Sequence, residues 1–248
     1  LKDGTALVTA SILPEVIEVL EKATLEKNSK LIRVGVDYIP VPSQIDLTCQ
    51  KFHLSTPNGM INDLEIPLLG VHQVLNASCA IAAIQQLDDD RMAEDHIRKG
   101  LRSIVWPGRF EIMERKPLVI LDGAKDAKAA QRLAETVKTY LPGLDMYTVL
   151  STSSDKDFDA IVKSLADVTG RFIITEHRMK SRTATAEQIE EAVKKTGVPY
   201  EIVIPVQKAI DVAKSYALEE DAVLIAGSLF LVGEAREYWY PPHSSKSG

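Results

Sequence analysis

The stretch PLVILDGAKDAKAAQRLAETVKTYLPGLDMYTVLS, residues 117–151, decides the fold. It opens with an unbroken apolar run, PLVILD (117–122). It then enters KAAQRLAETVKTYL (128–141), where Ala130, Leu133, Ala134 and Val137 share one helical face. It returns to a second apolar run, DMYTVLS (145–151). Runs this short and continuously apolar read as strands buried on both faces. A strand, an amphipathic helix and a second strand form a parallel crossover unit.

Downstream the same alternation continues. FDAIVKSLADV (158–168), TAEQIEEAVKKTG (185–197), VQKAIDVAKSYA (206–217) and LVGEAREYW (231–239) carry helical spacing. RFIITE (171–176), YEIVI (200–204) and DAVLIAGS (221–228) are strand-like runs between them. The expectation is an α/β, doubly wound, mostly parallel sheet with helices on both faces. FEIM (110–113) adds a strand before it.

Upstream of Trp106-Pro107-Gly108 the pattern is α+β. TALVTA (5–10) and KLIRVGV (30–36) read as strands around a helix that starts at Pro14. IDLTCQKFHL (45–54) and GMINDLEIPL (59–68) flank the turn TPNG and read as a hairpin. Pro40, Pro42 and Pro57 are expected to keep their segments irregular. An Ala-rich helix, VLNASCAIAAIQQL (74–87), and a polar one near RMAEDHIRKGL (91–101) follow. A boundary near 105 therefore separates residues 1–105 from 106–242, and 243–248 reads as a disordered tail.

Composition narrows the function. Against 29 Lys and Arg stand 35 Asp and Glu, a net charge of −6, which argues against nucleic acid or an anionic membrane as partner. Cys49 and Cys79 both lie in apolar runs and read as buried thiols, consistent with a reducing, cytoplasmic setting. No apolar run reaches the ~18 residues of a membrane span, and no secretory signal is evident.

Ligands of open α/β sheets bind at the carboxyl ends of the strands. Those ends carry Asp122, then Ser151, Asp155 and Lys156, then His177 and Arg178, then Gly227 and Ser228. Ser, Thr and Asp are also the preferred helix caps, so position alone leaves both roles open. Lys156 stands out, because a cap needs no lysine. Arg109 sits at the expected boundary, and Asn76 interrupts an apolar helix where an unpaired amide costs roughly 1–3 kcal/mol. No Cys/His metal cluster, no G-x-S-x-G and no G-x-x-x-x-G-K-[ST] phosphate loop occurs.

Five segments appear in order: LLGVHQVLNASCAIAAI (68–84), WPGRFEI (106–112), LDGAKDAKAA (121–130), SSDKD (153–157) and AGSLFLVGEAR (226–236). Together they resemble the folylpolyglutamate synthase/dihydrofolate synthase family of the Mur ligase superfamily, over essentially residues 1–240. The resemblance implies a Mur ligase C-terminal domain preceded by the last portion of the central ATPase domain, whose phosphate loop and Mg²⁺ ligands would lie upstream of Leu1. It implies an ATP-dependent amide ligase that adds glutamate to a folate or dihydropteroate carboxylate through an acyl phosphate. The implied small molecules are ATP, Mg²⁺, the folate or dihydropteroate and glutamate, in a protein monomeric at full length. By motif match Asn76 would contact adenine, Arg109 the ATP phosphates and Asp122 the nucleotide. Arg109, Asp122 and Lys156 would form the catalytic set, with Lys125 and Ser228 toward the substrate. On this reading the chain alone is expected to be inactive.

One departure stands out. The family pattern after the strand is DGAHN, and here it is DGAKD, with Lys125 and Asp126 in the last two places. Two other readings are therefore carried: a ligase of the same fold for another acid and amino acid, and a non-catalytic nucleotide-binding relative.

Overall fold

The computed structural model describes residues 1–87 and 93–242. The expected tail, 243–248, and the start of the polar helix at 91–92 lie outside the described residues. The chain divides into two compact units, Leu1–Val105 and Trp106–Gly248.

In the first unit, β1 (Ala6–Thr9) and β2 (Lys30–Arg33) pair in parallel around α1 (Pro14–Glu26), which has Pro at its first turn. β3 (Ile39–Ile45), β4 (Gln50–Thr56) and β5 (Gly59–Ile66) form an antiparallel sheet in that order. β4 alternates buried and half-buried positions, which turns Gln50, Phe52, Leu54 and Thr56 inward. Phe52, Leu54, Leu64 and Ile66 meet α2 (Val71–Ile84) and α3 (Glu94–Arg102) through Val74, Ala77, Ile81, Ile97 and Leu101.

The expectation for Pro40 and Pro42 was wrong. Both lie within β3, opposite Leu54 and Phe52. Proline is tolerated there because β3 is an edge strand, where a missing N–H breaks no central ladder. A register irregularity between Pro42 and Gln44 accommodates the second ring.

The second unit is a six-stranded sheet. Its strands are β6 (Glu111–Arg115), β7 (Leu118–Asp122), β8 (Met146–Leu150), β9 (Arg171–Ile174), β10 (Tyr200–Ile202) and β11 (Ala222–Ala226). They run in the order β10-β9-β8-β11-β7-β6. All neighbours are parallel except β6 and β7, so the doubly wound, mostly parallel sheet expected from the sequence is the one formed. β11, with all five residues buried, is its centre.

The helices are α4 (Ala127–Tyr140), α5 (Phe158–Ala166), α6 (Ala186–Lys194), α7 (Val206–Tyr216) and α8 (Leu229–Arg236). Val119, Leu121, Val149, Ile173, Val223 and Ile225 join α7 and α8 in one core. The alternate residues of the same strands face the other way, where α5 packs between α4 and α6. Polar side chains start several of these helices: Asp126 caps α4, Asp157 caps α5, Ser228 caps α8, and Thr185 with Gln188 forms a capping box on α6.

Candidate functional site

The ladder pairs Asp122 with Ala226, Ala226 with Leu150, and Leu150 with Ile174. The loops beyond these four residues therefore leave one edge of the sheet side by side. β11, formed last in sequence, lies between β7 and β8, so the strand order reverses there and the edge opens.

Asp122 ends β7. Its Oδ2 accepts the Phe110 N–H (2.9 Å) and its Oδ1 the Ala124 N–H (2.8 Å). Burial pushes the carboxyl above the usual carboxylate range, against the pull of these two amides and of Arg109. The Phe110 contact holds a residue at φ 44, a conformation a non-glycine side chain adopts only under constraint. Asp122 thus fixes the turn that carries Arg109.

Arg109 is half-buried and its guanidinium lies over Gly123. A Cβ at Gly123 would come within 2.8 Å of Arg109 Nη1 and would also collide with the Leu229 side chain. Gly108 O accepts the Gly123 N–H at 2.8 Å and a longer bond from Arg109 Nη1 at 3.3 Å. Among the described residues Arg109 forms no ion pair, so its charge faces no carboxylate within 4.0 Å. Glu111, two residues on, is bound instead by Arg236 of α8, with contacts of 3.0 to 3.2 Å, and accepts the Gly108 N–H (2.7 Å).

Ser228 is buried at the start of α8, and its hydroxyl accepts the Phe230 N–H (3.1 Å). Gly227 before it stands at φ 111. Lys156 lies in the loop after β8 and pairs with the adjacent Asp155 at 2.7 Å. Lys125 is exposed, three residues past Asp122, and Asp126 beside it accepts the Ala129 N–H (2.9 Å) as the cap of α4. Arg109, Asp122, Lys125, Lys156 and Ser228 all follow or flank strands β7, β8 and β11. Asn76 belongs to the first unit. There it is exposed rather than interior, and donates to Gln73 Oε1 at 3.0 Å. The apolar surroundings expected from the sequence are absent, and the partner its amide was expected to need is Gln73.

Residue types alone hid two features. The Glu111–Arg236 clamp joins residues 125 positions apart and has no local signature. Several buried side-chain atoms at the same edge also lack a partner: Ser151 Oγ, Thr152 Oγ1, Thr175 Oγ1 and both ring nitrogens of His177. Each unmade buried hydrogen bond costs roughly 1–3 kcal/mol. Burial also lowers the His177 pKa below its ordinary value, against the pull of Glu176, which favours the neutral ring.

Among the described residues no group of three or more His, Cys, Asp or Glu is placed to hold a metal ion, and no helix is long and apolar enough to cross a membrane.

Residues 108–229 match the Mur ligase, glutamate ligase domain. A probable bifunctional folylpolyglutamate synthase/dihydropteroate synthase of Haloferax volcanii is 36% identical over 178 residues, which is 71% of this chain and 21% of that protein. Mycobacterium tuberculosis folylpolyglutamate synthase, solved with ADP and AMPPCP, superposes with a TM-score of 0.88 at 26% identity. That match covers 96% of this chain and 55% of the mycobacterial one. E. coli FolC in complex with DHPP and ADP gives a TM-score of 0.84 at 27% identity, covering 96% and 54%. The chain thus spans about a fifth of the first relative and about half of the other two. The ordered motifs, the strand-end residues they bring together and these likenesses place the chain in the folylpolyglutamate synthase/dihydrofolate synthase family of the Mur ligase superfamily.

Proposed function

We propose that the protein carrying this chain is an ATP-dependent ligase that joins glutamate to the carboxylate of a folate or dihydropteroate. The observation that carries the reading is Arg109, a guanidinium with no carboxylate partner among the described residues, set by Asp122 and Gly123 at the open edge of the sheet. Such a group suits a phosphate, because a fixed guanidinium meets developing negative charge without reorganising. The nucleotides in the two solved relatives named above support the same assignment.

ATP, when bound, supplies the phosphoryl group that activates the acid's carboxylate. This chain's own residues have simpler tasks. Arg109 binds and orients phosphate oxygens. Asp122 holds the Arg109 turn through Phe110 and leaves further lone pairs for the nucleotide. Asn76, exposed on α2, offers an amide for the adenine edge. Lys156, Lys125 and Ser228 provide two ammonium groups and a hydroxyl for the incoming glutamate. Among the described residues no group of three or more His, Cys, Asp or Glu is placed to hold a cation, so no step is assigned through Mg²⁺. The chain contains no G-x-x-x-x-G-K-[ST] segment, and by itself it is expected to give no turnover.

The DGAKD departure is mild at its second position. Asp126 caps α4, and Asn fills that position equally well. The change at Lys125 puts an ammonium group in place of an imidazole on an exposed side chain.

The test is mass spectrometry of products from the protein carrying this chain, incubated with ATP, glutamate and a panel of folate, dihydropteroate and unrelated acids. A product one glutamyl residue heavier, formed on a folate or dihydropteroate only with ATP present, is expected. Ligation confined to an unrelated acid, or none with any acid, contradicts the proposal.

A further inference from the structure

The backbone around Arg109 is held by two carboxylates, one on each side. Asp122 Oδ2 accepts the Phe110 N–H at 2.9 Å, and Glu111 Oε2 accepts the Gly108 N–H at 2.7 Å. Both flanking residues have left-handed backbone, φ 72 at Gly108 and φ 44 at Phe110, so the turn depends on these bonds for its shape. The two acids come from neighbouring rungs of one ladder. Glu111 opens β6 and pairs with Leu121, the residue before Asp122.

This arrangement carries a hazard. Glu111 is two residues from Arg109, and a free carboxylate there would pair with the guanidinium and compete with any anionic ligand. Arg236 takes that carboxylate instead. Its Nε and Nη2 form a fork on the two Glu111 oxygens, with contacts of 3.0 to 3.2 Å. The Tyr240 ring, 5.0 Å from the guanidinium carbon, adds a second contact to Arg236.

Helix α8 fixes where Arg236 can reach. Leu229, Val232 and Arg236 stand at i, i+3 and i+7 and share one helical face. The Leu229 side chain occupies the space a Cβ at Gly123 would need, next to Arg109 Nη1. A Cβ at Gly108 would come within 2.8 Å of Val232 Cγ1. The same face therefore runs along the Arg109 turn from Gly123 to Glu111, with its arginine at the far end.

We infer that Arg236 is a positioning residue for Arg109: it holds the Glu111 carboxylate on the Gly108 amide and off the Arg109 guanidinium, which keeps its charge for an anionic ligand. That this ligand is a phosphate rests on the ligase reading above. That Arg236 keeps Glu111 from Arg109 does not.

The test is a rescue. In the protein carrying this chain, Arg236→Met frees the carboxylate, and kcat/KM for ATP is expected to fall about tenfold or more. Adding Glu111→Gln removes the competing charge, leaves an amide oxygen for the Gly108 N–H, and is expected to bring kcat/KM back to within about threefold of the parent. A clamp that only stabilises the fold gives no such recovery. Should Arg236→Met fail to melt as the parent does, Arg236→Lys takes its place, with a smaller loss expected and the same recovery on adding Glu111→Gln. A second readout needs no turnover. The Arg109 Nε–H resonance of the chain is expected to move in Arg236→Met and to return when Glu111→Gln is added. An unmoved resonance, turnover in Arg236→Met within about twofold of the parent, or a double variant no faster than the single overturns the positioning role. The two readings fail separately. A resonance that moves and returns in a protein that joins no amino acid overturns the ligase reading alone. Ligation by the parent with an unmoved resonance in Arg236→Met overturns the positioning role alone.

Discussion

Three residues at the open sheet edge lend themselves to single changes. Gly227 stands at φ 111, with Ser151 O and Leu150 Cδ1 where a Cβ would go. Gly227→Ala is therefore expected to cost about 2–4 kcal/mol, combining strained backbone with a collision against backbone. Chemical denaturation checks this, and a loss below 1 kcal/mol means that the loop shifts freely. Asp126 acts through one capping bond, so Asp126→Ala is expected to cost about 1 kcal/mol and Asp126→Asn close to nothing. His177 gives a pH signature. Its folded pKa lies below the ordinary 6.5, so the unfolded chain binds the proton more tightly. The stability it contributes is present above about 6.5 and is lost as pH falls below that value. Melting between pH 7.5 and 5 is expected to show this decline, and His177→Phe to flatten it. An unchanged slope in the variant assigns the decline to other groups.

At the scale of elements, the legible parts are those where one period holds for a whole segment. β7, α4 and β8 came directly from the apolar runs of 117–151, because a strand buried on both faces and a helix buried on one face write different patterns. β3 was not legible. Its prolines argue against a strand in any local reading, and only its place at the sheet edge makes them harmless. The strand-end rule placed Asp122, Lys156 and Ser228 at or after the ends of β7, β8 and β11 because position relative to a strand is local information. It missed what Asp122 does for Phe110 and what Glu111 does for Arg236, since those partners meet only after the sheet has formed. Asn76, expected in an apolar interior, is exposed for a related reason. A helix facing a core on one side and solvent on the other can carry an amide beside alanines without burying it. At this scale β11 is the element with most at stake. Leu224 on β11 is fully buried, and Leu224→Ala is expected to destabilise by about 2–5 kcal/mol, read as a fall in denaturation midpoint at constant slope.

For the molecule as a whole, the second unit is a scaffold whose strand order opens one edge and whose loops bring charge to it. Its sheet is buried on both faces and α4, α5, α6 and α8 carry side-chain caps, so the edge residues rest on a rigid support. The first unit has its own core and carries Asn76 on an exposed helix face. The measurement that tests the account most directly compares kcat/KM for glutamate addition in the protein carrying this chain, with Arg109 intact and with Arg109→Ala. On the proposed role of Arg109 at phosphate, its loss is expected to lower turnover on the order of 10²–10³-fold while the melting temperature stays within a few degrees. Turnover within a factor of three of the parent, in a variant that folds, contradicts the account.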